Sequence, residues 1–277
     1  VTPSVQESPV GALLREWRQR RRLSQLELAL AADSSARHLS CVETGKAQPS
    51  RAMVLKLCDV LEVPLRERNT VLLAGGFAPE YRERSLDDEE LFSARTALEA
   101  MLAAHEPYPA VVVDRYWNIV TTNRAMGLFQ GEIDEQLMEQ PNMYRLALHP
   151  GSPEGTTYMV NHGQVREFLL ERLLRQVQTT GDPILRDLYD EVSRYPVPPG
   201  AESDPEAPTP FALPLHISTP MGELRMFSTM VTFGAPSDVT LSELAIELFY
   251  PLDEFTAITL ARLFDLTTAD ADAEMSL

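Results

Sequence analysis

Between Leu23 and Ser50 the chain reads LSQLELALAADSSARHLSCVETGKAQPS, a stretch that leaves little freedom in what can be built from it. Ser24-Gln25-Leu26-Glu27 matches the capping box, in which a Ser side chain and a Glu three residues on satisfy the first free amides of a helix. Leu26, Ala29 and Leu30 give that helix an apolar face, and small Ala29 lets a following helix cross closely. Asp33-Ser34-Ser35 interrupts the pattern. Asp33 tolerates the left-handed backbone of a tight turn, and Ser35 offers a second N-cap. In the next helix, Leu39 and Val42 face inward, while Ala36, Arg37, Ser40 and Cys41 share the opposite face. Glu43-Thr44-Gly45-Lys46 then ends it at a glycine.

A capped helix, a tight turn and a second helix with a short polar face make helix-turn-helix geometry. The reading face is small or hydrogen-bonding, and Arg37 can hold guanine in a bidentate pair. Ahead of it, Val10, Leu13, Leu14 and Trp17 line one amphipathic helix that runs into RQRRR, Arg18 to Arg22. Behind it, Pro49 to Pro64 supplies a helix closing a small core through Val54, Leu57, Cys58 and Leu61. His38 reads as a half-buried packing residue.

Charge supports this division. The chain of 277 residues has a net charge of −17, yet residues 1–76 hold 11 Lys+Arg against 8 Asp+Glu. The other 201 residues hold 13 against 33. Affinity for phosphate depends on local potential, so a basic reader on an acidic chain is consistent with DNA binding.

The spaced residues LSQLELALA…S…LS.VETGKAQPS, with LKLCDVLEV after them, resemble the XRE, or lambda-repressor-like, helix-turn-helix family over about the first 75 residues. That resemblance implies that Gln25 heads the second helix and touches the DNA backbone, and that Ser35, Ala36, Arg37, Ser40 and Cys41 face the groove. Arg18, Arg20, Arg21, Arg22 and Lys46 are the expected phosphate contacts. The family usually carries Gly-Val in the turn, where this chain has Asp33-Ser34.

Residues 77–106 read as a linker and connecting helix, and 107–277 as a second domain. Ala110–Val113 and Asn118–Thr122 form a hairpin pattern, and Asn123 is an N-cap for a helix directly after it. Val165 to Val177 and Ile184 to Val192 are amphipathic helices. Residues 195–214 are Pro-rich and acidic and read as a long surface loop. Strand alternation returns at Leu213–Ile217, at Leu224–Met230 and in ELAIELFY, where Leu244, Ile246, Leu248 and Tyr250 form the expected apolar face. The fold class is therefore two-domain: an all-α helix-turn-helix domain, then an α+β domain with an antiparallel sheet.

The segments GFAPEYRERSLDDEEL, HEPYPAVVVDRYWNIVTTNRAMGLF, NMYRLALHP and DVTLSELAIELFYPLDEFTA together resemble the MmyB-like transcriptional regulators, from about Gly11 to Phe264. In that family an XRE-type reader precedes a PAS-like ligand-binding domain. The resemblance implies an elongated apolar ligand, such as a fatty acid or related secondary metabolite. Its weak region is Tyr195 to Pro208, and His162 stands where a Trp is expected.

A small-molecule cavity is mostly apolar with a few placed polar groups. The expected lining is Val112, Trp117, Ile119, Met126, Phe129, Phe168, Leu169, Met226, Met230, Ile246 and Leu248, residues that could equally fill a core. Arg145 is the expected carboxylate partner, helped by Asn142, Tyr144 and His149, although a surface ion pair would suit Arg145 as well.

Catalysis is not expected: the five histidines show no metal-ligand spacing, and neither a phosphate loop nor a nucleophile elbow appears. No cofactor is expected beyond a bound fatty acid or similar molecule. The two cysteines, Cys41 and Cys58, suggest neither disulfide nor zinc. Without a signal peptide or membrane-spanning pattern, a cytoplasmic homodimer is the expected form, with operator DNA and a small apolar ligand as partners. The competing reading makes the second domain a ligand-free protein-interaction or dimerisation module.

Overall fold

The computed structural model describes residues 9–129, 135–150, 159–198 and 213–274. They form two units. One takes the chain as far as Ser85 together with Gly234–Ser242; the other holds Leu86–Phe233 and Glu243 onward. The first unit thus extends past residue 76 and includes a segment from far along the chain. The part of the Pro-rich stretch at 199–212 lies outside the described residues.

The first unit contains α1 (Pro9–Arg20), α2 (Gln25–Ala31), α3 (Ala36–Glu43), α4 (Arg51–Val60) and α5 (Leu65–Ala74). Ser24, Ser35 and Ser50 each accept a hydrogen bond from the backbone amide three residues on, which starts α2, α3 and α4. The capping box is complete: Ser24 N also donates to Glu27 Oε2 at 2.7 Å. Asp33 lies at φ 46°, and Gly45, just past α3, at φ 72°. One core joins Val10, Leu14 and Trp17 to Leu28, Leu39, Val42, Val54, Leu57 and Leu61. α1 crosses α3 at a glycine: a Cβ on Gly11 would lie 2.3 Å from the Val42 carbonyl oxygen. The inward face of α2 is not the expected one. Leu28, Ala29 and Ala32 are buried, while Leu26 and Leu30 are exposed.

The second unit contains α6 (Phe92–His105), β1 (Ala110–Val113), β2 (Ile119–Thr122), α7 (Glu135–Glu139), α8 (Met143–Leu148), α9 (His162–Thr180), α10 (Pro183–Val192), β3 (Leu215–Thr219) and β4 (Gly222–Thr232). After α11 (Val239–Ser242), which belongs to the first unit, β5 (Ala245–Pro251) and α12 (Glu254–Glu274) complete it. The sheet has the order β2-β1-β5-β4-β3 and is antiparallel throughout. The chain is therefore an all-α domain joined to a PAS-like α+β domain.

Register decides what each strand residue faces. Val111 and Met230 both lie opposite Glu247, and Ser228 lies opposite Phe249. Since side chains alternate along a strand, these residues, with Val113 and Met226, share one face. α9 and α10 cover that face, with Leu173, Val177, Leu185 and Leu188 in the same core as Val111, Met226 and Phe249. Val112 pairs with Ile246, so those two and Leu248 point to the other face. α6 lies on that side, where His105 meets the Tyr250 ring edge-on at 4.8 Å.

Candidate functional site

In the first unit, α3 buries Leu39, Val42 and Glu43. Its outer side presents exposed Arg37 and His38, with Ala36, Ser40 and Cys41 half-buried and Ser35 exposed at its N-cap. His38 is therefore not a packing residue. It stands beside Arg37 on the reading side.

Beneath this surface sits a charge network. Arg18 donates twice to the Glu43 carboxylate, at 2.6 and 2.9 Å, and once to the Leu23 carbonyl at 2.8 Å. Gln25 donates to the same carboxylate at 2.8 Å. Glu43 holds the Arg18 guanidinium above its ordinary pKa through that hydrogen bond. These bonds fix α1, α2 and α3 against one another, so the reading helix is held by buried charge as well as by leucines.

The arginine run is thereby redistributed. Arg18 and Gln25 are committed to Glu43; Arg20 pairs with Glu16 at 2.5 Å, and Arg21 donates to the carbonyls of Leu61 and Glu62. Arg20 and Arg21 both lie over the Trp17 ring. Arg22 is the one exposed arginine of the run, Lys46 is exposed as well, and neither has an ion pair among the described residues. The sequence could not show this, because pairing with Glu43 or with a carbonyl some 40 residues away leaves no local pattern.

In the second unit, the turn between β1 and β2 is tied by Asp114, whose carboxylate accepts from the amides of Tyr116 and Asn118 at 2.8 and 2.9 Å. It holds Trp117 at φ 68°, a conformation a bulky residue adopts only at a cost of about 1–3 kcal/mol. The indole N–H donates to Gln176 Oε1 at 2.8 Å. One face meets the Tyr144 ring edge-on at 5.1 Å, and the Arg172 guanidinium lies 4.1 Å from its centroid.

Around this indole lie Tyr144, Arg172 and Glu247, and His162 lies farther along the helix of Arg172. The Tyr144 hydroxyl is buried without a hydrogen bond, and burial pushes it well above its ordinary pKa. Arg172 is half-buried and makes no hydrogen bond or ion pair among the described residues. Glu247 is buried on the sheet face beneath α9 and accepts one hydrogen bond, from Ser228 Oγ at 2.6 Å. Burial raises its pKa, while Ser228 and then Arg172 oppose that rise. His162, the first residue of α9, is 2 % exposed, and neither of its ring nitrogens has a partner. Burial lowers its pKa and keeps the ring neutral. Buried polar groups are nearly always satisfied, so the Tyr144 hydroxyl and the His162 ring are exceptions in this interior.

The expected ligand set divides against this geometry. Trp117 and Tyr144 are at its centre, and Ile119, Met126 and Leu169 pack on the same core. Met226 is on the α9 face, but Val112, Ile246 and Leu248 are on the opposite one, so the eleven apolar residues do not line a single space. Met230 and Phe168 are exposed, at 37 % and 39 %. The side chain of Phe129 lies outside the described part. Asn142 is structural: it caps α8 and donates to the Tyr116 carbonyl and Asn118 Oδ1.

Arg145 is not free for a ligand carboxylate. It holds Glu191 through two 2.8 Å bonds, Tyr195 donates to the same carboxylate, and the Arg145 bond depresses the Glu191 pKa. His149 stacks edge-on with Tyr195, and these residues line an open polar cleft of about 550 Å³ with Leu137, Glu139 and Gln140. Arg172 and Glu247 escape a reading of the sequence for a common reason. Each sits within a periodic apolar pattern that has apolar residues in more than one phase.

Residues 94–263, more than half of the chain, match the model of the MmyB-like transcription regulator ligand binding domain. The chain belongs to the MmyB-like transcription regulators. Residues 9–71 match a helix-turn-helix domain, which completes the DNA-binding half of such a regulator. Among solved structures, the clp gene regulator ClgR from Corynebacterium glutamicum is 24 % identical, with 39 % of this chain and 99 % of that one covered and a TM-score of 0.23. An RNA-binding Light-Oxygen-Voltage receptor is 14 % identical, covering 95 % of this chain and 64 % of that one with a TM-score of 0.25. No curated protein is similar enough in sequence to count as a relative. An MmyB-like regulator binds DNA through its helix-turn-helix and a small molecule through its second domain. Among the described residues, no three His, Cys, Asp or Glu side chains gather as a metal site, and no helix is long and apolar enough to cross a membrane.

Proposed function

We propose that this regulator reads a specific operator as a cytoplasmic homodimer and senses an elongated apolar molecule of the fatty-acid type, without catalysing a reaction. The single observation behind the sensing role is the unsatisfied polar group around Trp117: Tyr144 and Arg172, with Glu247 beneath. Arg172 takes the role that the sequence suggests for Arg145, because among the described residues it makes no hydrogen bond or ion pair and it lies over the Trp117 ring. The Tyr144 hydroxyl adds a donor to those of the guanidinium, and burial of Glu247 favours the form that holds a proton, a set that suits a carboxylate. Two half-sites one helical turn apart, or a multiple of it, would meet the two α3 helices of a symmetric dimer. The ligand acts by favouring one of two dimer arrangements.

Native and denaturing mass spectrometry of the purified protein, with solvent extraction afterwards, tests this reading. A stoichiometric amphiphile held in the native state and released on unfolding is the expected result. If the native mass is bare and a panel of alkyl acids neither binds nor alters operator affinity, the second domain is an interaction module instead.

A further inference from the structure

The partnerless groups are not all in one place. Asn161 pins the start of α9 to β3: its Nδ2 donates to the Pro214 carbonyl at 2.7 Å, and its Oδ1 accepts from the His216 amide at 3.0 Å. His162 therefore lies at the β3 edge of the sheet. Arg172 lies by Trp117, at the β1–β2 turn, and in the order β2-β1-β5-β4-β3 that is the opposite edge. The ten helical residues that separate them span about 15 Å at 1.5 Å per residue. Between them the inward stripe of α9 is apolar, through Val165 and Leu169.

We propose that the ligand of this site carries a polar group at each end, a carboxylate held at Arg172 and a hydroxyl held at His162. It is a long-chain ω-hydroxy acid, of about a dozen carbons if extended over the 15 Å span. The inference rests on the proposed sensing of a carboxylate amphiphile and adds what the far end must be. A plain fatty acid would satisfy Arg172 and leave both nitrogens of His162 without a partner. A neutral imidazole offers one donor and one acceptor, and a hydroxyl is complementary to either. A second carboxylate would be buried beside an uncharged ring, and Arg166, whose charge acts on His162, has its donors turned to backbone carbonyls. The basic side chain nearest His162 on its own helix, Arg166, is engaged with the carbonyls of Val192 and Ser193.

The test is calorimetric titration of the full chain with dodecanoate, 12-hydroxydodecanoate and dodecanedioate at one pH near neutrality. The hydroxy acid is expected to bind about tenfold more tightly than dodecanoate, the worth of one to two net hydrogen bonds. His162→Phe should abolish that preference, so that the two acids bind alike, whereas Arg172→Gln should weaken both. His162→Gln keeps a donor and an acceptor and should retain a preference, so it decides the matter if the phenylalanine variant does not fold. Equal affinities for the hydroxylated and plain acids overturn the proposal while leaving the sensing role intact. A preference that survives in His162→Phe does the same, as does dodecanedioate binding best. If none of the three binds, the sensing role fails and this inference with it.

Discussion

Replacing Glu43 by Ala tests whether buried charge holds the reading helix in place. The Glu43 side chain is 1 % exposed and that of Arg18 11 %, so truncation strands a guanidinium where water barely reaches. Removing one member of a buried pair costs about 3–5 kcal/mol, mostly because the partner's charge is left uncompensated. Arg18 keeps its bond to the Leu23 carbonyl, and half-buried Gln25 can replace its lost acceptor with water, so the lower end applies, about 3 kcal/mol. The two tryptophans make the assay clean, since Trp17 is in the first unit and Trp117 in the second. In a Trp117→Phe background, urea unfolding monitored by fluorescence reports the first unit alone. A loss of about 3 kcal/mol should lower its midpoint by about 1–3 M, taking a slope of about 1–3 kcal/mol per molar. The double variant Arg18→Met with Glu43→Leu should recover most of the loss, because no orphaned charge remains. A loss below about 1 kcal/mol in Glu43→Ala, the worth of an exposed ion pair, would refute the reasoning.

Arg37→Ala should relax preference at one base pair by about 1–3 kcal/mol, whereas Arg22→Ala should weaken binding to all sequences and flatten its salt dependence; indistinguishable titrations of matched and mismatched DNA before and after the Arg37 change would remove it from the reader. Gly11→Ala should destabilise the first unit by about 1–3 kcal/mol or more, since the new methyl would overlap the Val42 carbonyl, and an unchanged unfolding midpoint would mean that α1 can shift freely. Glu247 holds its proton more tightly folded than unfolded, so its contribution is present at acid pH and lost as pH rises through the folded-state pKa. Glu247→Gln should accordingly be more stable than the parent at about pH 7.5 and gain little near pH 4.5, as read by Trp117 in a Trp17→Phe background; a less stable variant at the higher pH contradicts the assignment.

The capping box and the left-handed Asp33 were legible because they depend on residues within one turn of each other. Strand positions were legible for the same reason, but the phase of β5 was not. Ile246, Leu248 and Tyr250 alternate with Ala245, Glu247 and Phe249, and apolar residues occur in both sets. Only pairing with β1 and β4 shows that Glu247 and Phe249 lie under α9. The partner of an arginine is likewise a tertiary fact. Arg145 and Arg172 look alike on paper, yet Glu191, 46 residues from Arg145, pairs with the first, while no carboxylate among the described residues forms an ion pair with the second.

The first unit closes over a segment made late. Asp238 accepts from Arg84 at 2.9 Å, and the Val239 amide donates to the Arg82 carbonyl at 2.8 Å, within the unit that α1 to α5 also occupy. On the ribosome these partners emerge far apart. At about 5–20 residues per second, the DNA-reading unit waits roughly 8–30 s after Ser85 before its last nine residues can join. A nascent chain therefore completes its reader only after β1 to β4 have been synthesised.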